Sequence, residues 1–515
     1  MSTQSNGSES GDQKTGMKRT LTLTSLTVNA MALIAPGAFL WTTFQIQAAQ
    51  VNGSISTASE MWTGLVAALI LVFLTAISYA ELANIYPKAG AGSSYYYAEA
   101  AFLEKEKASH RRWARIAKFL TGWISHLYYW IYPGIMVAFS ATLVVYIFGL
   151  FGISLAVWAE ILVAALFAAI NGYIAYRGIT GSTLTALAVN AIQLVALVVF
   201  SVLAILYRHF HPGLYYANSI SSILLPHNFT NVVFQSTIAI LLLVGFESVT
   251  ALGAEARHPK RDIRRAVLLA LIIQGLFAYL FEYFAANYMV GSYSSAAASS
   301  APIGDMARTI GNSMLGGTGL AFTVILAVTV MIALIGTTLA CLNTAVRVTY
   351  AMGKDKEVPS LLGVLHGKFA TPHWGIVALV LVSAIFGAYG VLNIDHLTQI
   401  TLASNTGTFL LYGLTNLIAL VAFFGRPGAQ FLKHRLVPVL GFLANLVMLV
   451  GVVYLSFKAG GTTSRDTVIA LVMVVVWLAA GAVWFVLNTR RQGYRVLVSE
   501  AVQLMPSEVN TTDPE

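Results

Sequence analysis

Long apolar runs recur along the whole chain, separated by short polar stretches that hold nearly all of its charge. They fall roughly at residues 25–48, 61–86, 119–148, 153–176, 184–207, 231–254, 266–290, 318–350, 374–391, 398–424, 436–457 and 467–488. A run of about 20 apolar residues, wound as a helix rising about 1.5 Å per residue, crosses the hydrocarbon core of a bilayer. In lipid the backbone must satisfy its own hydrogen bonds, so the runs predict an all-α membrane protein of about 12 transmembrane helices.

Composition supports lipid as the main solvent: 57% of residues are apolar, 10% are charged, and mean hydropathy is +0.74. Soluble domains carry about 25% charged residues. The distribution of charge then sets orientation. With the N-terminus in the cytosol, 26 of the 30 lysines and arginines fall in inside segments, leaving Arg208, Arg308, Lys458 and Arg465 outside. That asymmetry places both termini in the cytosol and the chain, as a multi-pass protein, in the inner (cytoplasmic) membrane. The net charge of +9 is then accounted for by loops facing anionic lipid headgroups, and no nucleic acid partner is needed. The polar first 20 residues read as a cytosolic tail rather than a signal peptide.

Two spans carry helix breakers near mid-depth. Ala35-Pro36-Gly37 interrupts the first: proline removes an intrahelical hydrogen bond and glycine accepts non-helical dihedrals. Gly245-Phe246-Glu247-Ser248 interrupts the sixth and adds a carboxylate, which is costly at that depth unless it has a use. Breaks in spans one and six match corresponding positions of two inverted five-helix repeats, a pattern that points to a transporter's binding site. Taken singly, each break is also explained by a structural kink.

Three ordered segments carry a family resemblance. Ser78-Tyr79-Ala80-Glu81-Leu82, Tyr86-Pro87-Lys88-Ala89-Gly90 and Ser94-Tyr95-Tyr96-Tyr97 follow the second span. Gly245-Phe246-Glu247-Ser248, Glu255 and His258-Pro259-Lys260-Arg261-Asp262-Ile263 mark the sixth. Arg347 to Asp355, with Pro359 and Thr371-Pro372-His373, follows the eighth. Over roughly residues 25–425 the chain resembles the amino acid-polyamine-organocation superfamily. The resemblance implies a five-plus-five inverted repeat with discontinuous helices 1 and 6, two extra helices, and amino acids or related amines as substrates. It divides the chain into a disordered cytosolic N-terminal tail (1–22), a ten-helix transport core (23–425), two additional transmembrane helices (426–489) and a cytosolic C-terminal tail (490–515). Two departures matter. Ala35-Pro36-Gly37 replaces the usual Gly-x-Gly type of first-helix motif, and Gln193 stands where several proton-coupled relatives carry a lysine. Exchange against a counter-substrate, or proton coupling through another group, is then expected.

A broken helix exposes free N–H groups and a positive dipole end on one half, and free carbonyls and a negative end on the other. An amino acid zwitterion suits that arrangement, its carboxylate at Gly37, Ala38 and Phe39 and its ammonium at carbonyls of Ile34, Leu243 and Val244. Ala35 and Gly245 complete the breaks, Phe246 is a candidate aromatic gate, and Cys341 in the eighth span either lines the pocket or is a small buried thiol. Glu247 pairs with the substrate's ammonium, carries a proton or caps the broken helix. Gln193, Thr337 and Thr338 are the other coupling candidates. The threonine pair resembles a region that supplies hydroxyls to sodium in some relatives, although such pairs commonly bond their own helix. His126 reads as a hydrogen-bonded packing residue, and Glu160 and Glu282, nearer the outer surface, as hydrated or ion-paired.

Catalysis finds no support. A single cysteine excludes an intramolecular disulfide, a multi-cysteine zinc site and an iron-sulfur cluster. No His-Glu-x-x-His or nucleophile-elbow pattern and no paired membrane aspartates occur, so neither enzymatic activity nor a cofactor is expected. The leading expectation is an amino acid permease or antiporter, and the alternative is a polyamine or other amine transporter of the same fold.

Overall fold

A computed structural model describes residues 21–34, 38–87, 92–106, 112–178, 183–253, 255–369 and 371–492. Helices α1 (Leu23–Ile34) and α2 (Ala38–Ala48) form the two halves of the first span. The Ala35-Pro36-Gly37 break between them lies outside the described residues. A small antiparallel hairpin, β1 (Val51–Asn52) with β2 (Ile55–Ser56), leads into α3 (Met61–Ile85). After α4 (Ser94–Leu103) come the third to fifth spans, α5 (Arg112–Leu150), α6 (Val157–Tyr176) and α7 (Thr183–Phe210). A short α8 (Ile220–Leu224) precedes the sixth span.

That sixth span is interrupted as the sequence predicts. It begins as α9 (Phe229–Ala239), tightens to a 3-10 turn at Ile240–Leu242, reverses at Gly245 with φ of 122°, and resumes as a 3-10 helix over Phe246–Leu252. The seventh runs from α10 (Pro259–Ala270) through a π-helical stretch, Leu271–Tyr279, to α11 (Leu280–Met289). Two loop helices, α12 (Tyr293–Ala298) and α13 (Pro302–Met314), follow. The last five spans are α14 (Gly319–Lys354), α15 (His373–Gly390), α16 (Ile394–Phe423), α17 (Val437–Lys458) and α18 (Gly461–Gln492).

Among the described residues, eleven helical stretches are long and apolar enough to cross a membrane, and α1 is a shorter apolar helix. With α2 completing α1, the count agrees with twelve spans, and the described interruption falls in the sixth. Several helices outrun their apolar windows. The third begins at Arg112 rather than 119 and the eighth ends at Lys354 rather than 350, because charged residues beyond the hydrocarbon are still good helix formers.

The long α5 is a central post, packed against α14, α15 and α16. The last span is fastened to it by a reciprocal pair: Trp123 Nε1 donates to the Trp477 carbonyl at 2.9 Å, and Trp477 Nε1 donates to the Trp123 carbonyl at 3.0 Å. The two indoles also stack, 5.0 Å between centroids. An indole N–H within the bilayer needs such an acceptor, since lipid supplies none.

Candidate functional site

The two interrupted spans meet each other. A Cβ built on Gly245 would lie 2.7 Å from Leu33 Cγ and 3.1 Å from the Leu33 carbonyl carbon, so the end of α1 rests on the bare backbone of the sixth-span break. Positive φ and close approach both require glycine there.

Carbonyls at the C-terminal end of α1 accept hydroxyls from three other segments. Thr337 of α14 donates to Ala32 at 3.0 Å, Tyr132 of α5 to Leu33 at 3.5 Å, and Tyr279 of the π-helical stretch to Ile34 at 2.9 Å. Each carbonyl oxygen has two lone pairs, so Ile34 keeps capacity for a substrate ammonium. Thr337 also reaches the Ala333 carbonyl at 3.0 Å, and Thr338 bonds Leu334 within its own helix at 2.7 Å. Thr337 is therefore a brace between α14 and α1.

Glu247 is fully buried and held by three donors. The Gly245 amide donates to Oε2 at 2.9 Å, Tyr412 of α16 donates to Oε2 at 2.8 Å, and Tyr129 of α5 donates to Oε1 at 3.1 Å. The first of these is a helix cap made by a carboxylate, satisfying an amide the break would orphan. Phe246 packs in a triad with Tyr79 and Tyr412, ring centroids 5.4 to 6.1 Å apart. Cys341 is buried with Sγ 3.8 Å from the Tyr129 carbonyl. Leu243, Val244, Gly245, Phe246, Glu247, Ile34 and Cys341 thus share one neighbourhood. Ala38 and Phe39 open α2 on its other side, while Ala35 and Gly37 lie outside the described residues.

The tyrosines are what sequence reasoning missed. Tyr79, Tyr129, Tyr132, Tyr279 and Tyr412 come from four segments, and apart from Tyr79, which lies in a segment carrying the resemblance, the signal in sequence was only their presence in aliphatic spans.

Gln193 does not join this group. It lines a separate cavity with Trp41, Phe200, Ile303, Thr329 and Glu282. Glu282 departs from expectation: it is 1% exposed, and neither carboxylate oxygen has a hydrogen-bond partner among the described residues. It has no ion-pair partner among the described residues, because α11 turns it inward against α7 and not toward the headgroups. Glu160 is half-buried in the first turn of α6, where a carboxylate meets the positive end of the helix. His126 is buried and shares a 3.0 Å hydrogen bond with Thr349.

On the side the charge pattern assigns to the cytosol, the three segments that carry the family resemblance converge. Tyr95 and Lys118 both donate to Asp355, at 2.9 and 3.0 Å; Arg347 pairs with Glu255 at 2.6 Å; Arg264 pairs with Glu81 at 2.8 Å. Arg115 pairs with Glu357 at 3.1 Å, and burial pushes the Glu357 carboxyl above its ordinary range while Arg115 and Lys118 draw it back. Just before α1, Leu21 forms a parallel bridge to Ala256. Its amide donates to the Glu255 carbonyl at 3.0 Å, and its carbonyl accepts from the Arg257 amide at 2.9 Å.

A family model described as amino acid permease matches residues 19–479. The chain belongs to the amino acid permease family. Over nearly its whole length this permease is similar to curated proteins. It is 24% identical over 489 residues to the low-affinity putrescine importer PlaP of Escherichia coli, covering 92% of this chain and 94% of that one. It is 22% identical over 496 residues to the branched-chain amino acid permease BcaP of Bacillus subtilis, with the same coverage. A shorter match, 28% identical over 225 residues and 42% of this permease, is to an uncharacterized transporter of Mycobacterium tuberculosis.

Proposed function

We propose that this permease carries amino acids across the cytoplasmic membrane as a secondary transporter, binding them between the two interrupted spans and exposing the site to each side in turn. The carrying observation is the chemistry at the meeting of those spans. Helix ends supply a positive pole at the start of α2 and carbonyls at the end of α1, one partner for each charge of a zwitterion. A single carboxylate, Glu247, lies there, and three donors already engage it. A diamine brings two cations and no anion, so it leaves the α2 amides without a partner. An apolar side chain finds company among Phe246, Tyr79 and Tyr412.

The amine reading is retained because Glu247 is a carboxylate at the break and because the similarity to a putrescine importer spans the same length. Competition separates them. Leaving amides unpaired costs about 1–3 kcal/mol, roughly 5- to 150-fold in affinity. In proteoliposomes, leucine should displace labelled leucine at least several-fold better than 3-methylbutylamine, the same molecule without its carboxylate, and better than putrescine. Equal competition by the amine would assign the site to amines.

A further inference from the structure

The seventh span carries an acid that the substrate site does not use. Glu282 is buried, both of its oxygens lack a donor among the described residues, and it faces a cavity of about 20 Å³, enough for one water molecule. The Trp41 indole N–H, on the same cavity, is also without an acceptor. Lipid and apolar walls supply no counter-charge, so an acid kept at this depth is a functional-site candidate by default.

Among the described residues no counter-charge is within the walls, and Glu282 is the one titratable side chain lining the cavity. On α14, which supplies Leu326, Thr329 and Val330 to the wall, the nearest titratable group along the helix is Cys341. On its own helix, Tyr283 donates to Gln47 Oε1 at 2.6 Å. On α7, Arg208 lies about 12 Å beyond Phe200 along the helix and bonds the Tyr288 carbonyl. On α3, Tyr79 bonds Ser94 and Glu81 pairs with Arg264 at the cytosolic end; Glu60, just before α3, accepts from the amides of His227 and Asn228. On the π-helical stretch Tyr279 bonds Ile34, and α8 has no titratable residue. On α13, Asp305 is held by Tyr146 and Ser299, and Arg308 is exposed.

A second cavity lies on two of the same helices, toward the outer face. A groove of about 470 Å³ is lined by Tyr207 of α7 and by Pro302, Asp305 and Met306 of α13. The same two helices wall the Glu282 cavity, through Phe200 and Ile303. Gly304 seats that helix on Trp41: a Cβ there would meet Trp41 Cζ2 at 2.6 Å. Lifting α13 and Trp41 would join cavity to groove.

We propose that Glu282 is a proton-binding site for this transporter, loaded from the outer groove and shielded when α13 and Trp41 close over it. The closed arrangement accepts only the neutral acid, and the opened one hydrates the carboxylate, so binding of an external proton favours closure. Closure is passed to the substrate site by two tyrosines flanking the acid on one face of its span. Tyr279 bonds Ile34 at the end of α1, and Tyr283 bonds Gln47 near the end of α2. A proton suits the site better than sodium, because a metal ion needs several oxygen ligands and the cavity wall offers few besides Glu282, with the Thr329 hydroxyl already bonded to Leu326. The consequence for transport rests on the function proposed above; the protonation does not.

The test is infrared difference spectroscopy of the full chain in liposomes at neutral pH. The wild type should show a protonated-carboxyl stretching band that Glu282→Gln removes, Glu282→Asp shifts without abolishing, and Glu247→Gln leaves in place. A band unchanged in Glu282→Gln, or its absence from the wild type, overturns the proposal. So does sodium-dependent uptake without that band. In proteoliposomes with an acidic exterior, the ratio of gradient-driven to exchange uptake of leucine should fall at least about five-fold in Glu282→Gln. If the wild type carries no leucine, the transport reading fails while the infrared result still decides on Glu282.

Discussion

Leu33 and Gly245 touch across the centre of the molecule, one at the end of the first half-helix and the other at the turn of the sixth span. Gly245→Ala adds a methyl group where Leu33 Cγ would be 2.7 Å away and the backbone φ is 122°. Strain and overpacking together cost roughly 2–5 kcal/mol. The variant is expected to unfold at lower temperature in detergent and to lose most uptake. Wild-type thermal stability in Gly245→Ala would show that the two breaks do not bear on each other.

Glu247 holds an amide and two phenols with two oxygens. In Glu247→Gln one oxygen becomes an NH2 group, so at least one of these donors faces another donor. A destabilisation of about 1–3 kcal/mol is expected, with reduced uptake that keeps its dependence on the pH gradient. Tyr129→Phe and Tyr412→Phe, which each remove one donor and leave the others paired, should cost less. Thermal unfolding and uptake across pH 5 to 8 measure both effects. Loss of gradient dependence in Glu247→Gln would move the proton to the substrate site.

The only cysteine reports on the inner side. Cys341 is buried, and on the side the charge pattern assigns to the cytosol the Leu21 bridge and the Arg347–Glu255 pair tie α1, the sixth span and α14 together, so they are expected to act as a gate. Glu255→Gln weakens that pair by up to about 1 kcal/mol, so labelling of Cys341 by a soluble thiol reagent in inside-out vesicles should quicken by up to about five-fold. Bound leucine should slow it. Equal rates in wild type and variant would remove the pair from the gate.

The charge asymmetry predicts Lys105 inside and Gly213 outside. In a Cys341→Ala background, Lys105→Cys should resist an impermeant reagent applied to intact cells, and Gly213→Cys should react. The reverse pattern would invert the topology.

Much of the fold was legible because lipid imposes it. Twelve apolar runs and two breakers need no tertiary information, and the Gly245 break follows from residue type alone. The loop helices α12 and α13 were not legible, since neither has the length of a span. The inward placement of Glu282 was not legible for a related reason. Position along a span gives depth, but whether a side chain turns toward headgroups or toward Gln193 depends on the rotation of α11 against α7. Glu247 was identified as a candidate from its depth, while its three donors come from α5, α16 and the break, which only the folded chain assembles. The same holds for the hydroxyls on α1: Thr337 was singled out as a possible ion ligand, and its contact with a helix end is visible only in the folded chain.

The reciprocal indole pair bears on how the molecule is made. Trp123 and Trp477 are separated by 354 positions, so the third span enters the bilayer long before its partner has been synthesised. Until α18 leaves the translocon, the Trp123 N–H has no Trp477 carbonyl to meet, and the outer wall of the central post stays open to lipid. Completion of the bundle is therefore a late event in biogenesis, and a chain cut short before its final helix would present an unfinished seam to membrane proteases.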